Sequence, residues 1–175
     1  GPLMVQGTIQ LLLGTAFVGT ILGATNGWLL SNCRFPGRRW LRIAQLIPLA
    51  TPAYLLSATL VDLSTREGWR VYGMGWGIVV MALTTYPYVF LLTTESFSVG
   101  SRRQLEACRS LGVGPWASFR RVALPIAAPA IGAGVALMGM ETINELGAVQ
   151  LLGIPSLSAG IPVSYTHLRA HETEE

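Results

Sequence analysis

The chain has 175 residues, 51% of them hydrophobic and only 12% charged, with a formal net charge of +3. A soluble domain usually holds about 25% charged residues, so this composition, with its long uncharged runs, excludes an ordinary water-soluble globule and points to a membrane protein. All twelve basic residues are arginines, and nine of them lie in two clusters, 34–42 and 102–121, each at the end of a membrane-length apolar run, which argues against the rival reading of nucleic-acid binding.

Residues 10–30 form the first predicted span, long enough to cross a hydrocarbon core of about 30 Å. Gly19, Gly23 and Gly27 recur every fourth residue and predict a face where another helix approaches closely. Asn26 is the strongly polar side chain of this span; it is expected to hydrogen-bond to a neighbouring helix, with lining of a pathway as the alternative. Residues 33–42, CRFPGRRWLR, are a basic turn marked by Pro36-Gly37. The positive-inside rule places it in the cytoplasm, with Trp40 at the interface. The second span, 41–61, is interrupted by Pro48 and Pro52. Two prolines four residues apart kink a helix, and the bend either lines a pathway or is a packing kink. Residues 62–75 read as a charge-balanced outer loop whose Trp69, Tyr72 and Trp76 fit an aromatic belt. The third span, 77–92, contains Tyr86-Pro87-Tyr88; Glu95 and the second arginine cluster follow it, which puts this end on the cytoplasmic side.

Residues 101–125, SRRQLEACRSLGVGPWASFRRVALP, are the longest polar interval and hold five of the arginines. They predict two short helices with a break. Leu105, Cys108 and Leu111 are expected on one face of the first, opposite Arg102, Arg103, Glu106 and Arg109. Gly112, Gly114 and Pro115 stop it. Trp116, Phe119 and Val122 are expected on one side of the second, opposite Arg120 and Arg121. Cys33 and Cys108 both fall on the cytoplasmic side and read as small packed side chains, not as a disulfide. The interval also resembles the cytoplasmic loop of permease subunits of bacterial ABC importers: Glu106, Ala107 and Cys108 stand at E-A-A, Gly112 follows after three residues, Val122 stands at the isoleucine, and Leu124-Pro125 close the pattern. Cys108 and Val122 depart from it while keeping similar size and apolarity. RFPGRR at 34–39, YPYVFLL at 86–92 and ETINELGAV at 141–149 are similar to the ferric-iron type of that family.

A fourth span is predicted from 124 to about 140–143, with Pro125 and Pro129 in its first turns and Gly132, Gly134 and Gly139 suited to close contacts. Glu141 and Glu145 are four apart and are expected on one helix face. They line a translocation path, or else reach solvent at the outer face or cap a helix break. Residues 1–162 read as one truncated transmembrane domain. The stretch VSYTHLRAHET, at 163–173, resembles a translated sequencing adapter, so 163–175 is expected to be a non-native tail. Both histidines, His167 and His171, lie in that tail. Outside it there is no histidine, Cys-x-x-Cys or Gly-x-Ser-x-Gly, and without lysine there is no GxxxxGK[ST] phosphate loop. No enzymatic activity, cofactor or metal site is expected.

The expected fold is therefore all-α, a polytopic transmembrane bundle of about four spans, with 33–42 and 94–123 cytoplasmic. The resemblance, covering about 8–162, implies a MetI-like permease core with a cytoplasmic coupling helix pair. It implies that Glu106, Ala107, Cys108, Gly112, Leu124 and Pro125 couple to an ATP-binding subunit in the inner membrane of a bacterium. It also implies a periplasmic substrate-binding protein and a second permease half as partners. Candidate path residues are Glu141, Glu145, Asn26, Pro48 and Pro52. Ferric iron is the substrate the resemblance implies; thiamine, polyamine, sulfate or molybdate import, or a non-transporting scaffold whose 101–125 segment binds lipid, stand as alternatives.

Overall fold

The computed structural model of the chain describes residues 2–99 and 102–154; the tail expected at 163–175 lies outside them. The regular structure of the described residues is entirely helical. The helices are α1 (Pro2–Asn32), α2 (Arg38–Ala44), α3 (Ile47–Ala50), α4 (Ala53–Glu67), α5 (Met74–Val99), α6 (Arg102–Ser110), α7 (Pro115–Ser118), α8 (Leu124–Asn144) and α9 (Leu146–Leu151). A π-helical turn, Phe119–Ala123, joins α7 to α8. Three helical rods, Pro2–Asn32, Met74–Ser98 and Pro115–Asn144, are long and apolar enough to cross a membrane, and Arg38–Ala50 with Ala53–Glu67 reach that length and apolarity only together, as a pair bent at a break.

The bundle is built around α5, with α1 and α8 packed against it. In α1 the four-residue spacing separates two stripes. Leu11, Thr15, Gly19, Gly23 and Gly27 are buried, while Leu13, Phe17 and Ile21 are exposed, as a helix facing protein on one side and lipid on the other requires. The glycine stripe is where α1 meets α5. A Cβ on Gly23 would lie 2.7 Å from Cβ of Val89 and 2.8 Å from the Tyr86 carbonyl oxygen. Gly134 of α8 meets the same residue from another side: a Cβ there would lie 2.7 Å from Cα of Val89. Backbones this close are possible only without side chains between them. The other two glycines predicted for close contact in α8 are not packed so: Gly132 meets nothing within 4 Å, and Gly139 only Leu12 at 4.0 Å.

The polar side chains inside the bundle are mostly satisfied locally. Thr84, Thr93, Thr94 and Thr142 donate to the carbonyl one turn back, which lets a hydroxyl be buried without a partner on another helix. Ser31 Oγ donates across to the Thr94 carbonyl at 3.3 Å, tying α1 to α5. Asn26 does not make the interhelical bond expected of it. Its Nδ2 donates to the Leu22 carbonyl of its own helix at 2.8 Å.

The second span is broken rather than kinked. Pro48 enters the first turn of α3, and Pro52 precedes α4. A residue before proline is pushed out of the helical region, and Thr51 is extended at φ −103, ψ 111, so the two halves meet at 89°. The helix then runs through Glu67, so the first part of the expected outer loop is helical, with Asp62 and Arg66 paired at 3.0 Å on its surface. Gly68, at φ 76, ends it. Trp69 packs on Trp76, ring centroids 5.5 Å apart, at the start of α5.

The expected pair of short loop helices is one separate short helix, α6, followed by one continuous rod from 115 to 144. Proline at 125 cannot donate to the helical ladder, and the π turn immediately before it widens the backbone to absorb the mismatch.

Candidate functional site

Two regions collect the candidate residues. The first is the corner made by α6 and α7, at the end of the bundle that also carries the 34–42 arginines. Leu105 is buried with Phe97, Ala123 and Ala127, against Trp28 and Phe119. Trp28 stands edge-on to Phe97 with centroids 5.4 Å apart, and 5.0 Å from Phe119, so an aromatic cluster anchors α6 to the bundle. Val113 N–H bonds the Cys108 carbonyl at 2.9 Å and Gly112 N–H the Arg109 carbonyl at 3.1 Å, with Gly112 at φ 74. This is the paired capping arrangement that a left-handed glycine makes at a helix end.

The rest of the expected apolar face divides. Cys108 is half-buried, but Leu111 is 80% exposed. A helix advances about 100° per residue, so positions three apart drift by about 60° each step and Leu111 has swung well away from Leu105. The cap then turns the chain before another element covers it. Trp116 is likewise 68% exposed, stacked on Phe119 at 5.5 Å. At this corner Glu106, Ala107 and Gly112 are exposed, as are Leu111 and Trp116, with Glu106 on the side of α6 that faces Arg34 and Arg38. Leu124 and Pro125 are not part of it; they stand at the junction of the π turn and α8, farther along the rod. The sequence pattern places Leu111 and Trp116 on helix faces and gives neither a place in a site. A large apolar residue beside a capping glycine is the signal that could have marked Leu111. Cys33, expected in a packed position, is exposed.

The second region is a cleft of about 210 Å³ at the break in the second span, opposite the middle of α5. Pro48, Thr51 and Pro52 line it from the break, Thr84, Thr85 and Tyr88 from α5, and Glu141 and Glu145 from the end of α8. Four of the five candidate path residues, distant in sequence, thus meet in one place; Asn26 is not among them. Glu145 has left the helix, at φ −79, ψ 92, yet its N–H still bonds the Glu141 carbonyl at 3.0 Å, which keeps the two carboxylates on the same side. Among the described residues none that lines the cleft is basic. Among the described residues no three His, Cys, Asp or Glu side chains gather as a metal cage. Tyr86 O–H donates to Gln45 Oε1 at 2.6 Å and fastens the broken segment to α5 beside the cleft.

A family model described as the binding-protein-dependent transport system inner membrane component matches residues 10–167. The chain is 33% identical over 155 residues to the sulfate transport system permease protein CysT of Escherichia coli, covering 80% of this chain and 56% of that protein. It is 30% identical over 170 residues to the probable sulfate transport system permease protein cysT of Chlorokybus atmophyticus, covering 89% of this chain and 59% of the relative. It is 29% identical over 158 residues to the Fe(3+)-transport system permease protein FbpB 2 of Haemophilus influenzae, covering 89% of this chain and 30% of that protein. The chain therefore spans little more than half the length of the sulfate permeases it matches.

Proposed function

This chain belongs to the family of binding-protein-dependent transport system inner membrane components, and from that premise we propose that it forms part of the translocation path of an ATP-driven importer. The α6–α7 corner is the surface through which a cytoplasmic ATP-binding subunit moves the bundle, which puts the arginine-rich end on the cytoplasmic side of a bacterial inner membrane. A periplasmic binding protein delivers substrate at the other end, and a second permease half completes the path. The observation that carries this reading is the exposed corner itself. Glu106 and Ala107 are exposed along α6, Leu111 just past its capped end and Trp116 on α7, while the other face of α6, through Leu105, is locked into the rods. A displacement applied there passes into α5 and α8. Glu106→Lys and Gly112→Pro are expected to abolish uptake and release ATP hydrolysis from it, with membrane insertion intact. Unchanged uptake in both variants would overturn the proposal.

For the substrate we propose ferric iron. Among the described residues the cleft carries two carboxylates and no basic side chain. At about 4 Å and an effective dielectric near 20, each unit charge pair is worth about 4 kcal/mol, favouring a passing cation and opposing a dianion. Two carboxylates attract without caging, as a path that must release its cargo requires. Sulfate is the second reading, because the permeases matched at 33% and 30% identity carry that substrate in their names. Uptake of labelled ferric iron against labelled sulfate decides between them. Iron uptake lost in Glu141→Gln and Glu145→Gln supports the first, and sulfate uptake alone refutes it.

A further inference from the structure

A separate cleft, of about 130 Å³, lies between the C-terminal end of α1, the turn that follows it and α6. Arg34 and Arg38 line it from the first arginine cluster, Arg109 and Glu106 from the second, with Ser31 and Asn32 at its floor. We propose that this cleft holds the headgroup phosphate of an anionic phospholipid and thereby clamps α6 to the bundle.

The charge argues for an anion. Three guanidiniums and one carboxylate leave a local charge of +2. The one ion pair among the described residues is Arg66–Asp62, on the surface of α4, so none of the three guanidiniums is neutralised by a carboxylate at bonding distance. Arg38 spends one N–H on the Ser31 carbonyl, at 3.4 Å, which points its head into the cleft and leaves the rest of its donor fork free. Arginine forks match phosphate oxygens in bidentate geometry. The cleft, at about 130 Å³, has room for a phosphate group.

The source of the phosphate follows from what stands beside it. α2 begins at Arg38 and has no buried residue. Its Trp40 is 76% exposed and Ile43 51%. A phospholipid covers both features at once, with its phosphate among the arginines and its acyl chain along Trp40 and Ile43. Free phosphate would satisfy the arginines and leave that face bare. Basic residues beside apolar interfacial surface are how proteins hold anionic lipid. The consequence is mechanical. Leu105 is the buried side chain of α6, and a lipid bridging Arg38 to Arg109 adds a polar clamp to that single apolar one. The proposal needs only the membrane placement, not the importer reading, and its test does not measure transport.

The test is lipid retention. The permease is purified in mild detergent with phosphatidylglycerol and phosphatidylethanolamine supplied equally, and bound lipid is counted by native mass spectrometry. Phosphatidylglycerol is expected to be retained in preference, to fall about fivefold for each of Arg34→Gln, Arg38→Gln and Arg109→Gln, and to rise in Glu106→Gln. Arg66→Gln and Arg70→Gln serve as the controls and are expected to change nothing. Equal retention across the cleft variants, or an equal fall in the controls, overturns the proposal. So does inorganic phosphate that binds with an affinity lowered by Arg109→Gln while lipid retention stays constant, because the cleft would then take free phosphate. The Glu106→Gln arm predicts a gain, so loss of folding cannot imitate it.

Discussion

Gly23→Ala tests how the bundle is held together. The added methyl would meet Val89 Cβ at 2.7 Å, the Tyr86 carbonyl oxygen at 2.8 Å and the Phe90 nitrogen at 2.9 Å. Two of these three atoms are backbone and cannot rotate away. Ordinary contact begins near 3.4 Å, so α1 and α5 must part by about 0.7 Å along their shared interface. Overpacking of this kind costs roughly 1–3 kcal/mol. Alanine returns about 0.5–1 kcal/mol of helix propensity, leaving a net loss of about 1 kcal/mol within a range of roughly 0–2.5 kcal/mol. Gly132→Ala gives the opposite sign: nothing lies within 4 Å, so only the propensity gain applies. Gly134→Ala is expected to destabilise like Gly23→Ala. The two losses should not add, because both methyls push on Val89 and a displacement that relieves one changes the other. Unfolding in detergent, followed by circular dichroism against added dodecyl sulfate, measures each variant. If Gly23→Ala and Gly132→Ala shift the midpoint in the same direction by similar amounts, the contact between backbones at Val89 does not hold the rods together and the reasoning fails.

Tyr86→Phe removes the 2.6 Å bond to Gln45; a loss of about 1 kcal/mol and faster hydrogen exchange at 38–52 are expected, with exchange in α1 unchanged. Thr15 is fully buried and its hydroxyl has no partner, so Thr15→Val is expected to leave the unfolding midpoint unchanged or raise it, and a clear fall would show that the hydroxyl is in use. Gly112→Ala forces a methyl into φ 74; a local cost of about 1–2 kcal/mol is expected to appear as faster exchange in α6 and weaker recovery of the ATP-binding subunit, while the bundle's midpoint holds. Leu111→Asp is expected to abolish that recovery without destabilising the chain, since Leu111 is 80% exposed; a fall in stability would mean that Leu111 packs inside.

The sequence by itself determined the features that local chemistry controls. Apolar runs of 20 or so residues can only be membrane helices, because in lipid every backbone group must bond within its own segment. The four-residue recurrence of Gly19, Gly23 and Gly27 placed one packing face, and Gly112 ended α6, because no neighbour is needed to make glycine favourable at positive φ. Pro48 and Pro52 announced a bend by an equally local rule, since proline cannot donate to the helical ladder. The tertiary structure alone decided everything that joins distant residues. The break turns the chain by 89°, and α3 packs against α5. The path from 115 to 144 is one rod because a π turn, settled by the packing of Phe119 and Ala123 against Phe97, absorbs Pro125. Leu111 and Trp116 lie outside, Asn26 turns back onto its own helix, and Gly132 packs against nothing, although each has the local pattern of a buried or bridging residue. Glu141 and Glu145 meet Pro48 and Pro52 across about ninety residues of chain. Periodicity fixes which face a side chain shares, but not which face turns toward a neighbour. That choice rests on the close fit of α1 and α8 to α5, a property of three segments together.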